Sequence, residues 1–257
     1  MKIAIKLGTS TLTHNTGKLN IRRVENLCKV ISDLANAGNE IIIISSGAIA
    51  MGAGKMNMKS KPADIPTKQA AAAVGQCELM YTYDSEFSKY NHTVAQILLT
   101  NDDFGHENRF GNFKNTINRL LELGVIPVIN ENDTVSTDEI VIGDNDTLAA
   151  IVSAAVSADL LVLLSDIDGL YTDDPHASPD AKLISEVTEI SDDIRSSAKG
   201  KGSEFGTGGM ETKIKAASIC MEAGCDMVIA NGADPEILYS ICRGDRVGTR
   251  FISGGRK

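Results

Sequence analysis

The stretch VIPVINENDTVSTDEIVIGDNDTLAA, residues 125–150, places a run of Asn, Asp and Glu directly after an apolar segment. It opens with an apolar run at 125–130, which predicts a strand buried on both faces of a parallel sheet. It closes with the start of a helical pattern that continues over 145–157. Its carboxylates, just past the strand, are Asp133, Asp138, Glu139, Asp144 and Asp146. Polar residues at this position are typical of ligand sites in open α/β sheets.

Nearly continuous apolar runs recur along the chain, with amphipathic segments between them. The runs predict strands at 2–7, 40–45, 93–98, 125–130, 159–165 and 226–231. Apolar residues at helical spacing predict helices at about 21–35, 67–90, 108–123, 145–157 and 210–223. This alternation indicates an α/β fold, a three-layer αβα sandwich with a mostly parallel central sheet.

Two segments interrupt the alternation. Residues 134–143 predict a small β-hairpin, and residues 176–209 form a polar excursion with Gly and Ser near its end. The sequence contains no internal repeat, low-complexity tract or Pro-rich linker. We therefore expect a single domain over 1–257, with two lobes around a cleft.

The composition argues against a nucleic-acid partner. Charged residues make up 23% of the 257 residues, and the formal net charge is −9. Aromatic residues reach only 4% and Trp is absent, which disfavours modules that stack bases. The negative net charge also disfavours nonspecific binding to a phosphate backbone.

The cysteines and apolar segments indicate a cytoplasmic protein without membrane contact. Most of the cysteines lie in helical patterns among apolar neighbours, and none forms a CxxC pair. They are Cys28, Cys77, Cys220, Cys225 and Cys242. This usage predicts buried free thiols in a reducing compartment. The first apolar run is too short for a signal peptide, and no stretch approaches the ~20 apolar residues of a membrane span.

Small or polar residues follow the predicted strands, at the edge where the carboxyl ends of parallel strands meet. Lys6 lies at the end of the first strand, and Ser46 with Gly47 opens a helix after the second. Backbone N–H groups at a helix start form an anion site. Each feature also has a purely structural explanation: Lys6 as a solvated lysine, Ser46 as an N-cap, the acidic run as a solvated hairpin. Their shared position after strands favours a functional site.

No standard phosphate-binding motif is present, since neither GxxxxGK[ST] nor GxGxxG occurs. The segment GTGGMETK at 206–213 instead places three glycines before a predicted helix. Such glycines allow backbone amides to converge on a phosphate, with Lys213 about one turn into the helix. A plain flexible turn explains the glycines equally well.

Several segments together carry a family resemblance. They are KLGTSTLT (6–13), ISSGAIAMG (44–52), AAVGQ (72–76), QILLTNDDF (96–104), NENDTV (130–135), IGDNDTLAA (142–150), LLSDIDGLYTDDP (163–175) and GTGGMETK (206–213). With these segments the chain resembles the amino acid kinase family over essentially its whole length. SSGAIA combined with NEND and GDND is similar to the members that phosphorylate glutamate.

The resemblance implies transfer of the ATP γ-phosphoryl group to the side-chain carboxylate of L-glutamate, with Mg²⁺, as the first step of proline biosynthesis. It implies direct in-line transfer, a glutamate lobe at 1–160 and an ATP lobe at 161–257. The implied catalytic residues are Lys6, Lys213 and Asp146. The implied glutamate ligands are Ser46, Gly47, Ala48, Asn130, Asp133 and Asn145. The implied nucleotide ligands are Lys6, Ser165, Asp166, Thr207, Gly208, Gly209, Met210, Glu211, Thr212 and Lys213.

Elementary electrostatics fits these roles and accounts for the acidic run. Phosphoryl transfer requires neutralisation of charge on a loose transition state, which two lysines, Mg²⁺ and helix-start amides supply. Asp133 is a natural counter-charge for the ammonium group of an amino acid, and Asn130 and Asn145 orient carboxylates without adding charge. Asp144 and Asp146 hold the lysines in this scheme. One of the two reaches Mg²⁺ through water, and no side chain is assigned as a direct metal ligand.

The sequence departs from the family pattern at two places. The chain ends six residues past GTRF at 248–251, so the resemblance implies the kinase domain without a C-terminal RNA-binding-type (PUA) domain. Ser165 and Asp166 stand where the family uses Thr-Asp, which keeps the hydroxyl group.

Two other functions stay open. One is a sister kinase whose acceptor is N-acetylglutamate, aspartate or UMP. The other is a noncatalytic regulator that binds ATP or an amino acid. The resemblance further implies a homodimer or homotetramer, and feedback inhibition by L-proline at a site that overlaps the glutamate site.

Overall fold

One sheet organises the described part of the molecule. The computed structural model describes residues 1–14, 16–136, 145–175, 178, 180–197 and 209–254. Its strands are β1 (Lys2–Leu7), β2 (Glu40–Ser45), β3 (Val94–Leu99), β4 (Ile126–Glu131), β5 (Leu160–Ser165), β6 (Glu186–Val187), β7 (Asp226–Asn231) and β8 (Thr249–Phe251). They lie in the order β3-β4-β2-β1-β5-β7-β8-β6.

Helices connect the strands. Within the described ranges they are α1 (Thr9–Leu12), α2 (Ile21–Asn36), α3 (Ala48–Lys55), α4 (Ile65–Ser88), α5 (Asn101–Gly105), α6 (Glu107–Glu122), α7 (Asn145–Ala155), α8 (Asp192–Ser197), α9 (Met210–Glu222) and α10 (Ile237–Arg243). Side chains set the longer helix starts: Asn20 accepts the N–H of Arg23 before α2, and Asp64 accepts that of Thr67 before α4. None of the described helices is both long and apolar enough to cross a membrane.

The strand order reverses at β1. This strand pairs in parallel with β2 on one side and with β5 on the other. The sheet continues through β4 and β3 on the first side, and through β7 on the second, again in parallel. At the far side, β8 pairs antiparallel with β7. The carboxyl ends of β1, β2, β4 and β5 therefore meet at one edge, where open α/β sheets bind ligands.

Helices cover both faces of the sheet. Ile3 and Ile5 of β1 and Ile43 of β2 pack in one core with α2, α3, α4 and α10. Ala4 and Ile42 lie in the opposite core with α6, α7 and α9. Because the central strands are apolar on both faces, they show the continuous hydrophobic runs seen in the sequence. The predicted three-layer αβα sandwich with a mostly parallel sheet is confirmed.

The predicted strands are all present, each within one residue of its predicted bounds. The predicted helices correspond to α2, α4, α6, α7 and α9. Short elements such as β6, β8 and α10 were not predicted, because two to seven residues contain too few repeats of a hydrophobic period to be recognised. Of the predicted hairpin at 134–143, residues 137–143 lie outside the described residues. Residues 198–208 of the polar excursion are also outside them, and its described part contains β6 and α8.

The cysteines are free thiols. Cys28, Cys220 and Cys225 are buried and Cys242 is partly buried, which agrees with the prediction. The prediction was wrong for Cys77, which is exposed. This residue lies on α4 about 100° around the helix from the buried Gln76, so its apolar sequence neighbours do not indicate its own orientation.

Two glycines bring α3 and α4 into direct backbone contact. A methyl group on Gly75 would overlap the carbonyl oxygen of Ala48, and one on Gly52 would overlap that of Ala71. Only glycine permits so close an approach. The start of α3 is therefore fixed against the middle of α4.

Candidate active site

The carboxyl ends of the central strands bring together most of the residues predicted as a site. Lys6 is the penultimate residue of β1, Asn130 lies near the end of β4, and Ser165 ends β5. Ser46 and Gly47 link β2 to α3. Gly47 has φ of 101°, a left-handed conformation that favours glycine and lets the helix begin immediately after the strand.

The start of α7 joins two lysines from distant parts of the chain. Lys6 Nζ lies 2.7 Å from Asp146 Oδ1, and Lys213 Nζ on α9 lies 3.0 Å from Asp146 Oδ2. The three side chains are 12%, 1% and 5% exposed, in the order Lys6, Asp146, Lys213. One carboxylate thus holds two ammonium groups in a buried position.

The two lysines of this cluster keep its carboxylate ionised. Burial alone would raise the pKa of Asp146, but the charges of Lys6 and Lys213 outweigh it and lower that pKa to about 2. The carboxylate is therefore ionised at neutral pH and pairs with both ammonium groups. Asp144, the second carboxylate expected to hold the lysines, lies outside the described residues. Two ammonium groups brought together at the edge of the sheet are suited to an anionic ligand.

Thr212 connects the cluster to the loop before α9. Its hydroxyl lies 3.1 Å from Asp146 Oδ2 and 2.8 Å from the carbonyl oxygen of Gly209, and it donates to one of them at a time. Gly209 directly precedes α9, and no described side chain caps that helix. The first N–H groups of α9 are therefore available to an anion.

Only some of the remaining predicted nucleotide ligands of this loop lie within the described residues. Met210 is partly buried and Glu211 is exposed in the first turn of α9. Thr207 and Gly208 lie outside the described residues, and so does most of the predicted glycine nest.

A chain of hydrogen-bonded side chains adjoins the charged cluster. Asn145 Nδ2 donates to Ser46 Oγ at 2.8 Å and to Asn130 Oδ1 at 3.0 Å. Asn130 Nδ2 donates in turn to Gln76 Oε1 at 3.1 Å. Asn145 immediately precedes Asp146, so the chain connects the lysine-binding carboxylate to the ends of β2 and β4 and to α4.

Helix α4 also holds the end of β2. The hydroxyl groups of Ser45 and Tyr83 lie 2.8 Å apart, and both residues are fully buried. Burial raises the pKa of Tyr83, so the phenol remains neutral and acts as a hydrogen-bonding partner. This contact fixes Ser45, and through it the neighbouring Ser46.

Asp133 is a second buried carboxylate with a very different environment. It lies two residues beyond β4 and is 6% exposed. Burial raises its pKa, and the nearby charge of Glu131 raises it further, to about 7. Its Oδ1 has no hydrogen-bond partner among the described residues. An ionised carboxylate in this position is costly unless a cation joins it.

The end of β5 supplies the other predicted nucleotide ligands. Ser165 Oγ donates to Asp166 Oδ1 at 3.1 Å. Two residues that the sequence reasoning did not single out lie beside them: Asn231, at the end of β7, donates to Asp168 at 2.8 Å. Both line a cavity of about 580 Å³ that extends along α10 to Arg243. The position of Asn231 at the end of a predicted strand was the available signal.

Gln76 is the other polar residue that the sequence reasoning left without a role. It is 8% exposed on the inner side of α4 and bonds to Asn130. Its position at the end of AAVGQ, within an otherwise apolar helical segment, was the available signal.

The donor set fits a magnesium ion that arrives on a nucleotide. No three or more His, Cys, Asp or Glu side chains of the described residues are arranged to hold a metal. Asp146, which the Thr212 hydroxyl links to the start of α9, is already engaged by two lysines. Mg²⁺ is commonly held by one or two carboxylates together with substrate phosphates, and these residues allow that arrangement.

A mostly parallel sheet covered by helices on both faces, with two lysines on one aspartate at its edge, indicates the class of protein. The chain belongs to the amino acid kinase family, whose model matches residues 1–231. Within this family the chain is similar to glutamate 5-kinases. It is 50% identical over 256 residues to the one from Clostridium perfringens, covering 98% of this chain and 95% of that protein.

Two further relatives support this placement. The glutamate 5-kinase of Clostridium tetani is 53% identical over 249 residues, covering 97% of this chain and 93% of that protein. The glutamate 5-kinase of Caldanaerobacter subterraneus is 52% identical over 252 residues, covering 98% of this chain and 68% of that protein. The family resemblance inferred from the sequence motifs is confirmed.

Solved structures show the same fold. The UMP kinase from Bacillus anthracis has a TM-score of 0.64 and 16% identity, covering 99% of this chain and 96% of that one. The UMP kinase from Ureaplasma parvum has a TM-score of 0.63 and 15% identity, covering 98% of each chain. At this identity the likeness concerns the fold alone.

Proposed function

We propose that this protein transfers the γ-phosphoryl group of ATP to the side-chain carboxylate of L-glutamate, forming L-glutamyl 5-phosphate and ADP. The observation that carries the proposal is the cluster in which Asp146 holds Lys6 and Lys213 at 2.7 and 3.0 Å. The glutamate 5-kinases that are about half identical to the chain support the choice of acceptor. We assign the reaction to the first step of proline biosynthesis.

In the proposed reaction, an oxygen of the glutamate side-chain carboxylate attacks the γ-phosphorus in line. The bond from that phosphorus to the bridging oxygen breaks, and ADP leaves with the electron pair. The attacking carboxylate is already ionised at neutral pH, so no general base is required. Lys6 and Lys213 neutralise charge on the oxygens of the loose transition state. Mg²⁺ supplies further neutralisation when it is bound with the nucleotide.

Asp146 acts as a positioning residue in this scheme. Two ammonium groups without a shared counter-charge would repel each other and move apart. The carboxylate keeps them near one point, and its low pKa keeps it charged throughout the physiological range. The lysines are therefore in place before the substrates bind, which reduces reorganisation during transfer.

We propose that glutamate binds between the start of α3 and Asp133. Ser46 and the N–H groups of Gly47 and Ala48 form a helix-start site for a carboxylate. The substrate ammonium group pairs with Asp133, whose Oδ1 has no partner among the described residues. Asn145 and Asn130 hold Ser46 in orientation through their hydrogen bonds.

We propose that ATP binds to the C-terminal lobe, residues 161–257. Ser165 ends β5, and Asp166 follows it beside the cavity near Asp168 and Asn231. The uncapped start of α9 favours phosphate there. The segment 207–213 completes this part of the proposal, with 1–160 as the glutamate lobe.

Asp133 discriminates among the alternative acceptors. N-acetylglutamate and UMP lack a free ammonium group, so they leave this buried carboxylate without a counter-charge. Aspartate has the ammonium group but a shorter reach to the lysine cluster. A noncatalytic binding protein has no need for two buried lysines on one aspartate. Glutamate phosphorylation therefore accounts for more of the site than either alternative.

Compartment, assembly and regulation form the rest of the proposal. Free thiols support a reducing compartment such as the cytoplasm. We propose a homodimer or homotetramer, which light scattering on the purified protein would test. L-Proline carries the same α-carboxylate and an amine, so we propose that it competes with glutamate. An inhibition pattern that is not competitive with glutamate would contradict that overlap.

The deciding experiment measures ATP turnover with Mg²⁺ and L-glutamate, N-acetylglutamate, L-aspartate or UMP. Hydroxylamine is included because it converts an acyl phosphate to a hydroxamate. We expect ADP release that depends on glutamate, with hydroxamate in equal amount. Turnover with a different acceptor would refute the assignment of the glutamate ligands but not that of the nucleotide site. Absence of turnover with every acceptor would refute the kinase function.

A further inference from the structure

One backbone N–H fixes the polarity of the amide chain beside the active site. The N–H of Glu131 donates to Asn130 Oδ1 at 2.9 Å. A backbone N–H can only donate, so this branch of the Asn130 amide is its oxygen. The Nδ2 branch of Asn130 therefore faces Gln76, which must present its oxygen, Oε1, at 3.1 Å. The other branch of the Gln76 amide, its Nε2 group, therefore makes no contact with Asn130.

This Nε2 group is a buried donor without a partner. Gln76 is 8% exposed, and its Nε2 bonds to no atom of the described residues. An unpaired buried donor destabilises the folded protein, because it has lost its hydrogen bonds to water. Reversing the Gln76 amide gives no relief, because its NH₂ group would then face the NH₂ group of Asn130. A ligand that accepts a hydrogen bond would remove the cost.

The same polarity propagates to the other end of the chain. Asn130 Oδ1 accepts from Asn145 Nδ2, which also donates to Ser46 Oγ, so Asn145 Oδ1 has no partner among the described residues. Ser46 accepts in this bond, and its hydroxyl hydrogen is directed elsewhere. The site therefore offers two donors, Ser46 and Gln76, and two acceptors, Asn145 and Asp133. A free amino acid presents a carboxylate and an ammonium group, which match these donors and acceptors.

Helix packing holds Gln76 at the substrate end of the site. Gly75, its neighbour, touches the carbonyl group of Ala48 at the start of α3. Two asparagine side chains separate Gln76 from Asp146 and its lysines. Gln76 is therefore on the side of the site away from the transferring phosphoryl group. It lies near the start of α3, which belongs to the proposed glutamate site.

We propose that Gln76 is a substrate-binding and specificity-determining residue, whose Nε2 group donates a hydrogen bond to the α-carboxylate of glutamate. The inference rests on the proposed glutamate kinase function and adds a ligand to it. A buried donor rejects an acceptor that cannot pair with it, because the donor then remains unsatisfied. Gln76 therefore selects acceptors that carry an α-carboxylate.

Two substitutions separate direct binding from positioning through Asn130. Gln76→Glu keeps an oxygen toward Asn130 and nearly the same shape, but replaces the donor by oxygen. Gln76→Met removes both groups without adding charge. If Gln76 binds glutamate, both variants raise the glutamate KM about tenfold or more and leave the ATP KM nearly unchanged. If Gln76 only holds Asn130, Gln76→Glu keeps the wild-type glutamate KM, and the proposal is overturned.

A substrate lacking the α-carboxylate gives an independent readout. With 4-aminobutyrate as acceptor at high concentration, Gln76→Met should have the same kcat/KM as wild type, because the hydrogen bond is absent in both. An equal loss on both substrates would overturn the direct role and assign Gln76 to the scaffold. This comparison does not depend on the folding of Gln76→Glu. The control Cys77→Ser, at the exposed neighbouring position, should leave every KM unchanged.

The two proposals fail in different ways. Wild-type protein that forms no glutamate-dependent hydroxamate refutes the kinase function, and with it the role of Gln76. Wild-type protein that is active, together with Gln76→Glu at an unchanged glutamate KM, leaves the function standing and refutes Gln76 alone.

Discussion

Lys213 on α9 reaches Asp146 at the start of α7, with 3.0 Å between Nζ and Oδ2. The two side chains are 5% and 1% exposed. Burying both charges costs about as much as their attraction returns, so such a pair contributes little net stability. Under the proposed function, its value lies in holding a flexible ammonium group where it can contact the transferring phosphoryl group.

Lys213→Met should lower kcat by about 10²–10³-fold, because one donor of charge stabilisation to the transition state is lost. The KM values for ATP and glutamate should change by much less, since the charge matters most during transfer. Steady-state kinetics of ADP release measures both quantities. Lys215→Met removes an exposed lysine of the same helix and should leave kcat unchanged. A kcat loss of similar size in Lys215→Met would point to damage to α9 instead.

Asp146→Asn should reduce the free energy of unfolding by about 3–5 kcal/mol, because two buried lysines lose their counter-charge. It should also lower kcat, since the lysines move apart. Urea denaturation measures the first effect. Asp245→Asn breaks an exposed pair with Arg243 and should change stability by about 0.5 kcal/mol or less.

The stability that Asp146 provides should depend on acid pH. Its pKa is lowered from 3.8 to about 2 in the folded protein, so the unfolded chain binds this proton more readily. The contribution is complete above about pH 4 and disappears as the pH falls toward 2. Wild-type protein should therefore lose more stability than Asp146→Asn between pH 4 and 2. Parallel acid curves for the two proteins would contradict the low pKa.

Asp133 should make glutamate binding depend on pH. Its pKa of about 7 in the folded protein means that the carboxyl group is neutral below that pH and cannot pair with the substrate ammonium group. The glutamate KM should rise by up to about tenfold per pH unit below 7. Initial rates at pH 6 to 8.5 measure this, with the KM for ATP as the internal reference.

Asp133→Asn serves as the control for that pH profile. Its glutamate KM should be high and nearly independent of pH over the same range. Because the folded protein disfavours the ionised form of Asp133, the variant should also have a higher Tm than wild type at pH 8. A wild-type KM that stays constant from pH 6 to 8 would remove Asp133 from the ammonium site.

Gly75→Ala should disturb the fold and the glutamate site together. The new methyl group would overlap the carbonyl oxygen of Ala48, and such overpacking costs about 1–3 kcal/mol. Because Ala48 starts α3, we also expect a higher glutamate KM with little change in the ATP KM. Gly111→Ala in α6 is the matched control, since a methyl group there meets no atom within 4 Å. It should stabilise the protein by up to about 1 kcal/mol.

The sequence predicted those parts of the fold that depend on local patterns. Strands such as Ile126–Glu131 are continuously apolar because both faces are covered. Their carboxyl ends then lead directly to residues such as Lys6, Asn130 and Asp133, because ligand sites of open sheets lie at that edge. Short strands such as Glu186–Val187 form only because β8 lies beside them, which no local pattern shows.

The proposed role of Gln76 could not be predicted from its own segment. Apolar residues of helix α4 are not confined to one face, so its rotation about its axis is not readable from the sequence. The exposure of Cys77 was misjudged for the same reason. Moreover, the direction in which the Gln76 amide points follows from the backbone N–H of Glu131, 55 positions away along the chain. Hydrogen-bond polarity of this kind exists only after tertiary contacts form.

The order of synthesis gives the three-charge cluster a further consequence. Lys6 leaves the ribosome early, whereas Lys213 follows Asp146 by 67 residues. Under the proposed function, a nascent or truncated chain without α9 has only one of the two lysines on Asp146, so it should be a poor catalyst of transfer. Onset of catalysis then waits for the synthesis of α9, even where the preceding part of the sheet has already folded.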